Sequence, residues 1–216
     1  MKNRKAITLI ELVFSIVIVG IAVMSIPVIV RNSNVNVVQS QNVLGYYNAL
    51  TLMDTIRSKP WDTNNVDDFE KSGIYYILYT GNRALDCYLD KDGTYVKQGL
   101  TKTDRRRICD PSKKKAAPIV FNNNLASINA FDGYRKEIKV NNTTIFTLLT
   151  KVEYVDVNFT NSANVTIANS NKITNVKKIT VTLNKPKLDT SGEETISSYI
   201  YYAANIGTDV PASKDN

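Results

Sequence analysis

Residues 1–31 read MKNRKAITLIELVFSIVIVGIAVMSIPVIVR, and this stretch decides how the rest of the chain is built. From Ile7 to Val30 there are 24 residues with one charge among them, Glu11. As a helix they cover about 36 Å, enough for a bilayer core of roughly 30 Å. A secretory signal peptide has a shorter apolar core, about 7–15 residues, and then a small-residue cleavage site. Neither is present, so residues 7–30 read as a transmembrane helix. Lys2, Arg4 and Lys5 precede the span and only Arg31 closely follows it. The excess of positive charge places the amino terminus in the cytoplasm and the rest of the chain across the membrane.

Composition narrows what that exported part does. The chain has 216 residues and a formal charge of +7, from 27 Lys+Arg against 20 Asp+Glu. Setting aside Lys2, Arg4 and Lys5 leaves 24 basic against 20 acidic residues, an ordinary balance for a globular domain. There is no histidine, which removes Ser-His-Asp and Cys-His catalysis and the His-containing zinc sites. Two cysteines do not make a Cys-only metal site. The reading is of a non-enzyme with no cofactor and no metal.

Glu11 stands out, because a carboxylate at the centre of a span costs on the order of 3 kcal/mol. It is either tolerated near the headgroups or needed. Lys5-Ala6 followed by Ile7-Thr8-Leu9-Ile10-Glu11-Leu12 resembles the leader and cleavage motif of type IV prepilins and type II secretion pseudopilins. The resemblance implies a leader peptide at 1–6, cleavage by a prepilin peptidase between Ala6 and Ile7, and N-methylation of Ile7. It makes Glu11 the fifth mature residue, the acidic position of the family. The residue before the cut is usually Gly and is Ala6 here; the first mature residue is most often Phe and is Ile7 here. The partners it implies are the peptidase, other pilin or pseudopilin subunits, an inner-membrane assembly platform and the lipid bilayer. In a filament a buried Glu11 would pair with the terminal amine of a neighbouring helix, relieving two desolvated charges and fixing the register.

Past Arg31 the composition turns polar, and Val43, Leu44, Tyr47, Leu50, Met53 and Ile56 recur at helical spacing. Residues 31–58 are therefore expected to form an amphipathic continuation whose apolar stripe packs under a sheet. The helix should stop near Ser58, because Pro60 disfavours helical geometry in the residue before it. Gly20 and Pro27 predict a bend or a melted turn on the way.

Residues 59–216 read as an exported, β-rich globular domain. Ile74–Thr80, Tyr134–Val140, Val152–Phe159, Val176–Asn184 and Thr195–Ala203 are β-branched or alternating runs. In Lys177–Lys185, Ile179, Val181 and Leu183 alternate with outward Thr180 and Thr182, and Asp189–Glu194 reads as a hairpin turn. The whole is an α+β, pilin-like plan: a long amino-terminal helix, then an antiparallel sheet.

Cys87 and Cys109, on the far side of the membrane, are expected to form a disulfide. Closing a loop of about 23 residues contributes roughly 3 kcal/mol. Arg105, Arg106, Arg107, Lys113, Lys114 and Lys115 make a basic segment that reads either as a solvated loop or as an anion-binding patch. Asp90-Lys-Asp92-Gly93 reads as a turn, since calcium needs more oxygen ligands than one Asp pair supplies. The acceptor-like pattern Asp156-Val-Asn158-Phe-Thr160 lies within a strand and reads as a chance match. The function expected is that of a structural subunit, a minor pilin or pseudopilin of a type IV pilus or type II secretion filament. It would sit in the inner membrane with its carboxy-terminal domain periplasmic, and then enter the filament. The alternative is a filament-tip module that uses the basic loop 105–115 to bind DNA or a surface.

Overall fold

The computed structural model describes residues 9–81, 87–89, 95–97, 109–110, 112–161, 164–187 and 192–207. The chain divides into two units, Met1–Gly45 and Tyr46–Asn216. Helix α1 runs unbroken over Leu9–Arg57, so its last turns, from Tyr46, belong to the second unit. The melted turn expected near Gly20 or Pro27 is absent. A helical proline removes one intrahelical hydrogen bond, and the ladder on either side holds. The last turn closes through Ser58 N–H donating to the Asp54 carbonyl (3.1 Å) and Lys59 N–H to that of Ile56 (3.1 Å), just before Pro60.

The apolar stripe of the helix lies elsewhere than expected. Ala49, Leu52, Met53 and Ile56 are buried in the core, at the spacing of one helix face. Of the residues read from the sequence, only Met53 and Ile56 belong to that face. Val43, Leu44, Tyr47 and Leu50 are 52%, 41%, 69% and 46% exposed. The expected stripe spans two faces and leaves out Ala49 and Leu52, both buried on the inner one.

After the helix, Asp62 caps a short 3₁₀ turn, Thr63–Asn65, its carboxylate accepting from Asn64 N–H at 3.0 Å. Helix α2, Val66–Ser72, follows and ends on Gly73, whose φ of +69° suits the left-handed position. Two short strands, β1 (Cys87–Leu89) and β2 (Tyr95–Lys97), pair antiparallel. A second 3₁₀ turn, Ile128–Phe131, leads into the main sheet.

The main sheet contains β3 (Arg135–Val140), β4 (Thr143–Asn161), β5 (Asn164–Asn169), β6 (Val176–Pro186) and β7 (Glu193–Ala204). Its order is β3-β4-β6-β7, with β5 pairing the outer half of β4, and every pairing is antiparallel. β3 turns into β4 through Asn141 and Asn142, both at positive φ, the geometry that tight hairpins require. The inner face is read off the alternation of β6: Lys177, Ile179, Val181 and Leu183 are buried, while Lys178, Thr180 and Thr182 are half-buried. Ile138, Phe146, Leu148, Val152 and Tyr154 join these aliphatics, with Trp61, Leu78 and Phe131, in one core.

The expected strand Ile74–Thr80 does not form. Ile77 and Tyr79 make isolated parallel bridges to Cys109 and Lys115, and the residue between them is satisfied by a side chain instead. Asn205, just past β7, accepts from Leu78 N–H (3.1 Å) and donates to Leu78 carbonyl (2.7 Å). Its amide also donates to Asn175 Oδ1 (3.0 Å). One amide side chain therefore does the work of a neighbouring strand residue.

The Asn205→Ala variant should consequently lose about 3 kcal/mol of stability, because it strands two buried backbone groups of Leu78. Urea unfolding of the detergent-solubilised chain should show a clearly lower midpoint. A midpoint within error of the parent would mean that Leu78 finds other partners.

Candidate functional site

Among the described residues the first unit offers one functional feature, its part of helix α1. Between Leu9 and Val30 the large apolar side chains whose exposure is described, from Leu9 (82%) to Val30 (53%), are all exposed. They cover every face of the helix. A soluble surface helix confines such residues to one stripe; a helix apolar all round belongs in a core or a bilayer. Among the described residues this is the one helix long and apolar enough to cross a membrane. Glu11 lies on it two residues into the described part, exposed, and its backbone carbonyl accepts from Ser15 Oγ at 2.7 Å. Ala6 and Ile7 lie outside the described residues.

In the second unit Cys87 and Cys109 are paired, with Cα atoms 6.2 Å apart. They pack against Ile77 in a small cluster separate from the main core, with Tyr79 at its edge. Of the basic segment, Arg105, Arg106 and Arg107 lie outside the described residues, as do Asp90 and Asp92 and the turn residues 189–191. Lys114 is committed: its ammonium contacts Asp68 at 2.8 Å, and that hydrogen bond raises its pKa. Asp110 shapes the loop by accepting from Ser112 N–H (2.7 Å) and Lys114 N–H (3.3 Å). Lys113 and Lys115 are exposed on either side. Asn158 is exposed on β4, with its carbonyl accepting from Thr166 Oγ1 at 3.4 Å. Among the described residues no three acidic or cysteine side chains come together as a metal site.

A third cluster was not singled out from the sequence. Lys177 points from β6 into the core, and it, Asp62 and Asn129 are all 0% exposed. The Lys177 ammonium donates to the Asp62 carboxylate (3.0 Å), to the Trp61 carbonyl (2.7 Å) and to Asn129 Oδ1. It lies 3.5 Å from the centre of the Trp61 ring and 5.2 Å from that of Tyr154. Asp62 is itself saturated: Asn129 Nδ2 donates to it at 3.1 Å and Ala117 N–H at 3.1 Å. Tyr154 closes one side by donating to the Ala117 carbonyl at 2.7 Å. Burial pushes the Lys177 ammonium down to about 8, although Asp62 pulls the other way. Burial also raises the Tyr154 hydroxyl, so it stays a donor. The one local signal for Lys177 is its place two residues before Ile179 on an alternating strand; its partners are 115 and 48 residues away, beyond any local pattern.

The cysteine pairing has a direct chemical test. Alkylation of the folded chain without reductant should label neither Cys87 nor Cys109, and labelling should appear after reduction. Two freely reactive thiols would contradict the pairing. Removing both should lower stability by roughly 2–4 kcal/mol.

Compared with protein-family models, curated protein sequences and solved structures, the chain has no match.

Proposed function

We propose that the chain is a structural subunit of the type IV pilin and type II secretion pseudopilin kind, a minor pilin or pseudopilin processed at Ala6–Ile7 and assembled through its amino-terminal helix. The observation that carries this reading is Glu11 at the head of a helix whose Leu9–Val30 part is otherwise apolar on every face. Such a helix is suited to storage in a bilayer, and then to packing against copies of itself when drawn out. The carboxylate is costly in lipid and gains a partner only in an assembly, through the terminal amine of the next subunit. The layout of a long apolar helix followed by an antiparallel sheet supports the same reading.

In this role the subunit is single-pass in the inner membrane, with the sheet domain periplasmic. Its partners are a prepilin peptidase, the assembly platform, the bilayer and other subunits. Its work is mechanical: the helix holds, and the domain presents a surface. The alternative, capture of DNA or a surface by residues 105–115, is weakened by the pairing of Lys114 with Asp68, which removes one charge from the patch.

Co-expression with a prepilin peptidase should shorten the chain by residues 1–6 and add one methyl group, about 14 Da, at Ile7. An uncut amino terminus would remove the basis of the reading. In the same cells Glu11→Ala should still be cut at Ala6–Ile7, four residues upstream, yet accumulate as a membrane monomer. Its incorporation would bury the neighbour's amine without a counter-ion, at several kcal/mol per contact. Crosslinking between adjacent helices should drop accordingly. Equal incorporation would reduce Glu11 to a tolerated headgroup-level charge.

A further inference from the structure

The Lys177 cluster has more chemistry than an ion pair needs. A buried lysine is usually satisfied by carboxylates and carbonyls. Here one of its contacts is a carboxamide, that of Asn129, and the amide carbon Cγ lies one covalent bond beyond the oxygen that Nζ touches. An amine beside a carboxamide is a nucleophile beside an acyl group whose leaving group is ammonia. Alone, that reaction is slow because the ammonium is not nucleophilic and the amide nitrogen leaves poorly. Asp62 addresses both obstacles. The same oxygen, Oδ2, contacts the attacking nitrogen (Lys177 Nζ, 3.0 Å) and the departing one (Asn129 Nδ2, 3.1 Å). A single carboxylate is thus within hydrogen-bond reach of both ends of one proton transfer.

We propose that Lys177 and Asn129 become joined by an intramolecular amide bond, with Asp62 carrying the proton from the attacking to the departing nitrogen. The Lys177 ammonium gives one proton to Asp62. The freed Nζ attacks Asn129 Cγ, the N–C bond forms, and the carbonyl π pair moves onto Oδ1. Asp62 passes its proton to Nδ2, the pair returns from Oδ1, and the Cγ–Nδ2 bond breaks. The remaining extra proton on Nζ goes through Asp62 to the released ammonia, which leaves as ammonium. Charge and atoms balance with no oxidant, cofactor or second substrate, and Asp62 ends as the carboxylate it began as.

The surroundings favour each step. Trp61 and Tyr154 cover the amine with ring faces, and full burial of the three reacting side chains keeps out the water that would compete for the amide. Burial also lowers the ammonium to about 8, so the neutral amine is far more accessible than for a surface lysine. The Ala117 and Pro118 carbonyls, at 3.4 and 3.3 Å from Asn129 Nδ2, fix the orientation of the leaving group. Asn129 itself is held on the 3₁₀ turn Ile128–Phe131, and Lys177 on a central strand. The three side chains meet only once the domain has folded, so the bond would form last and in one place. This inference is independent of the filament reading.

The test is a peptide map of the full chain, purified from membranes in detergent and cut with trypsin. The expected product is a branched species joining segments 116–135 and 173–178, uncut after Lys177, with a mass about 17 Da below the sum of the two, the loss of ammonia. Fragmentation should place the branch at Asn129 and Lys177. Recovery of the two segments as separate linear peptides, with cleavage after Lys177, overturns the proposal, even if ammonia is lost elsewhere. A branch with the loss of water, linking Lys177 to Asp62, overturns the assignment of Asn129. In Asp62→Asn the branched yield should fall at least tenfold while Cys87 and Cys109 stay protected from alkylation. Undiminished branching there overturns the role of Asp62. Should Asp62→Asn not fold, the map of the parent chain still decides whether the bond exists.

Discussion

The second unit is organised around a lysine with no access to water. Moving an ammonium out of water costs several kcal/mol even after the protein relaxes, and only close, well-aimed acceptors offset it. Lys177 obtains them from separate parts of the chain: Trp61 and Asp62 from the segment after α1, and Asn129 from the second 3₁₀ turn. Asp62 in turn fastens Ala117 and the turn at Asn64. No two of these segments are adjacent in sequence to β6. The cluster is therefore complete only when helix end, long loop, turn and sheet are all in place. Taking away one partner leaves a buried charge uncompensated, a loss of about 3–5 kcal/mol in comparable sites, a large share of the stability of a domain this size.

The same constraint explains what the sequence disclosed and what it withheld. The alternation Lys177, Ile179, Val181, Leu183 puts the lysine on the inner face as firmly as the aliphatics, because strand period is a backbone property. Its partners were not readable, since nothing local links position 177 to 62 or 129. The late strands and the helix end at Pro60 were legible for the converse reason: alternation and proline act within a few residues. Ile74–Thr80 has strand composition, yet Leu78 is paired by the Asn205 side chain, a tertiary substitution that composition does not reveal. Helix α2 was missed although Asp67, Asp68, Lys71 and Gly73 mark its ends, because seven residues carry too little periodicity to announce themselves.

At the amino terminus the balance of local and distant information reverses. A helix apolar on all sides needs no partner within its own unit to explain it, so its character is legible from one stretch of sequence. In the proposed filament, Glu11 would gain its partner from outside the chain. Within the second unit, Tyr47 and Leu50 are exposed on the side of the helix opposite the buried Ala49, Leu52, Met53 and Ile56. A helix apolar on both faces has two sets of neighbours to satisfy, one supplied by its own sheet.

The cysteine pair and the proposed Lys177–Asn129 amide would divide the second unit between them. The cysteine pair closes the segment 87–109 against Ile77, in the small cluster outside the main core. The Lys177–Asn129 amide would close residues 129–177, which contain β3, β4 and β5 and reach into β6. Each would restrict the unfolded chain, and because the restriction grows only slowly with loop length, their contributions would be of similar size. They differ in what can undo them. A disulfide opens to any competent thiol, whereas an amide shielded by Trp61 and Tyr154 is indifferent to redox state and out of reach of water. The lysine that costs most to bury would thus be converted into a neutral link. That conversion removes the ion-pair desolvation as a standing cost and leaves the main sheet held where reduction does not reach.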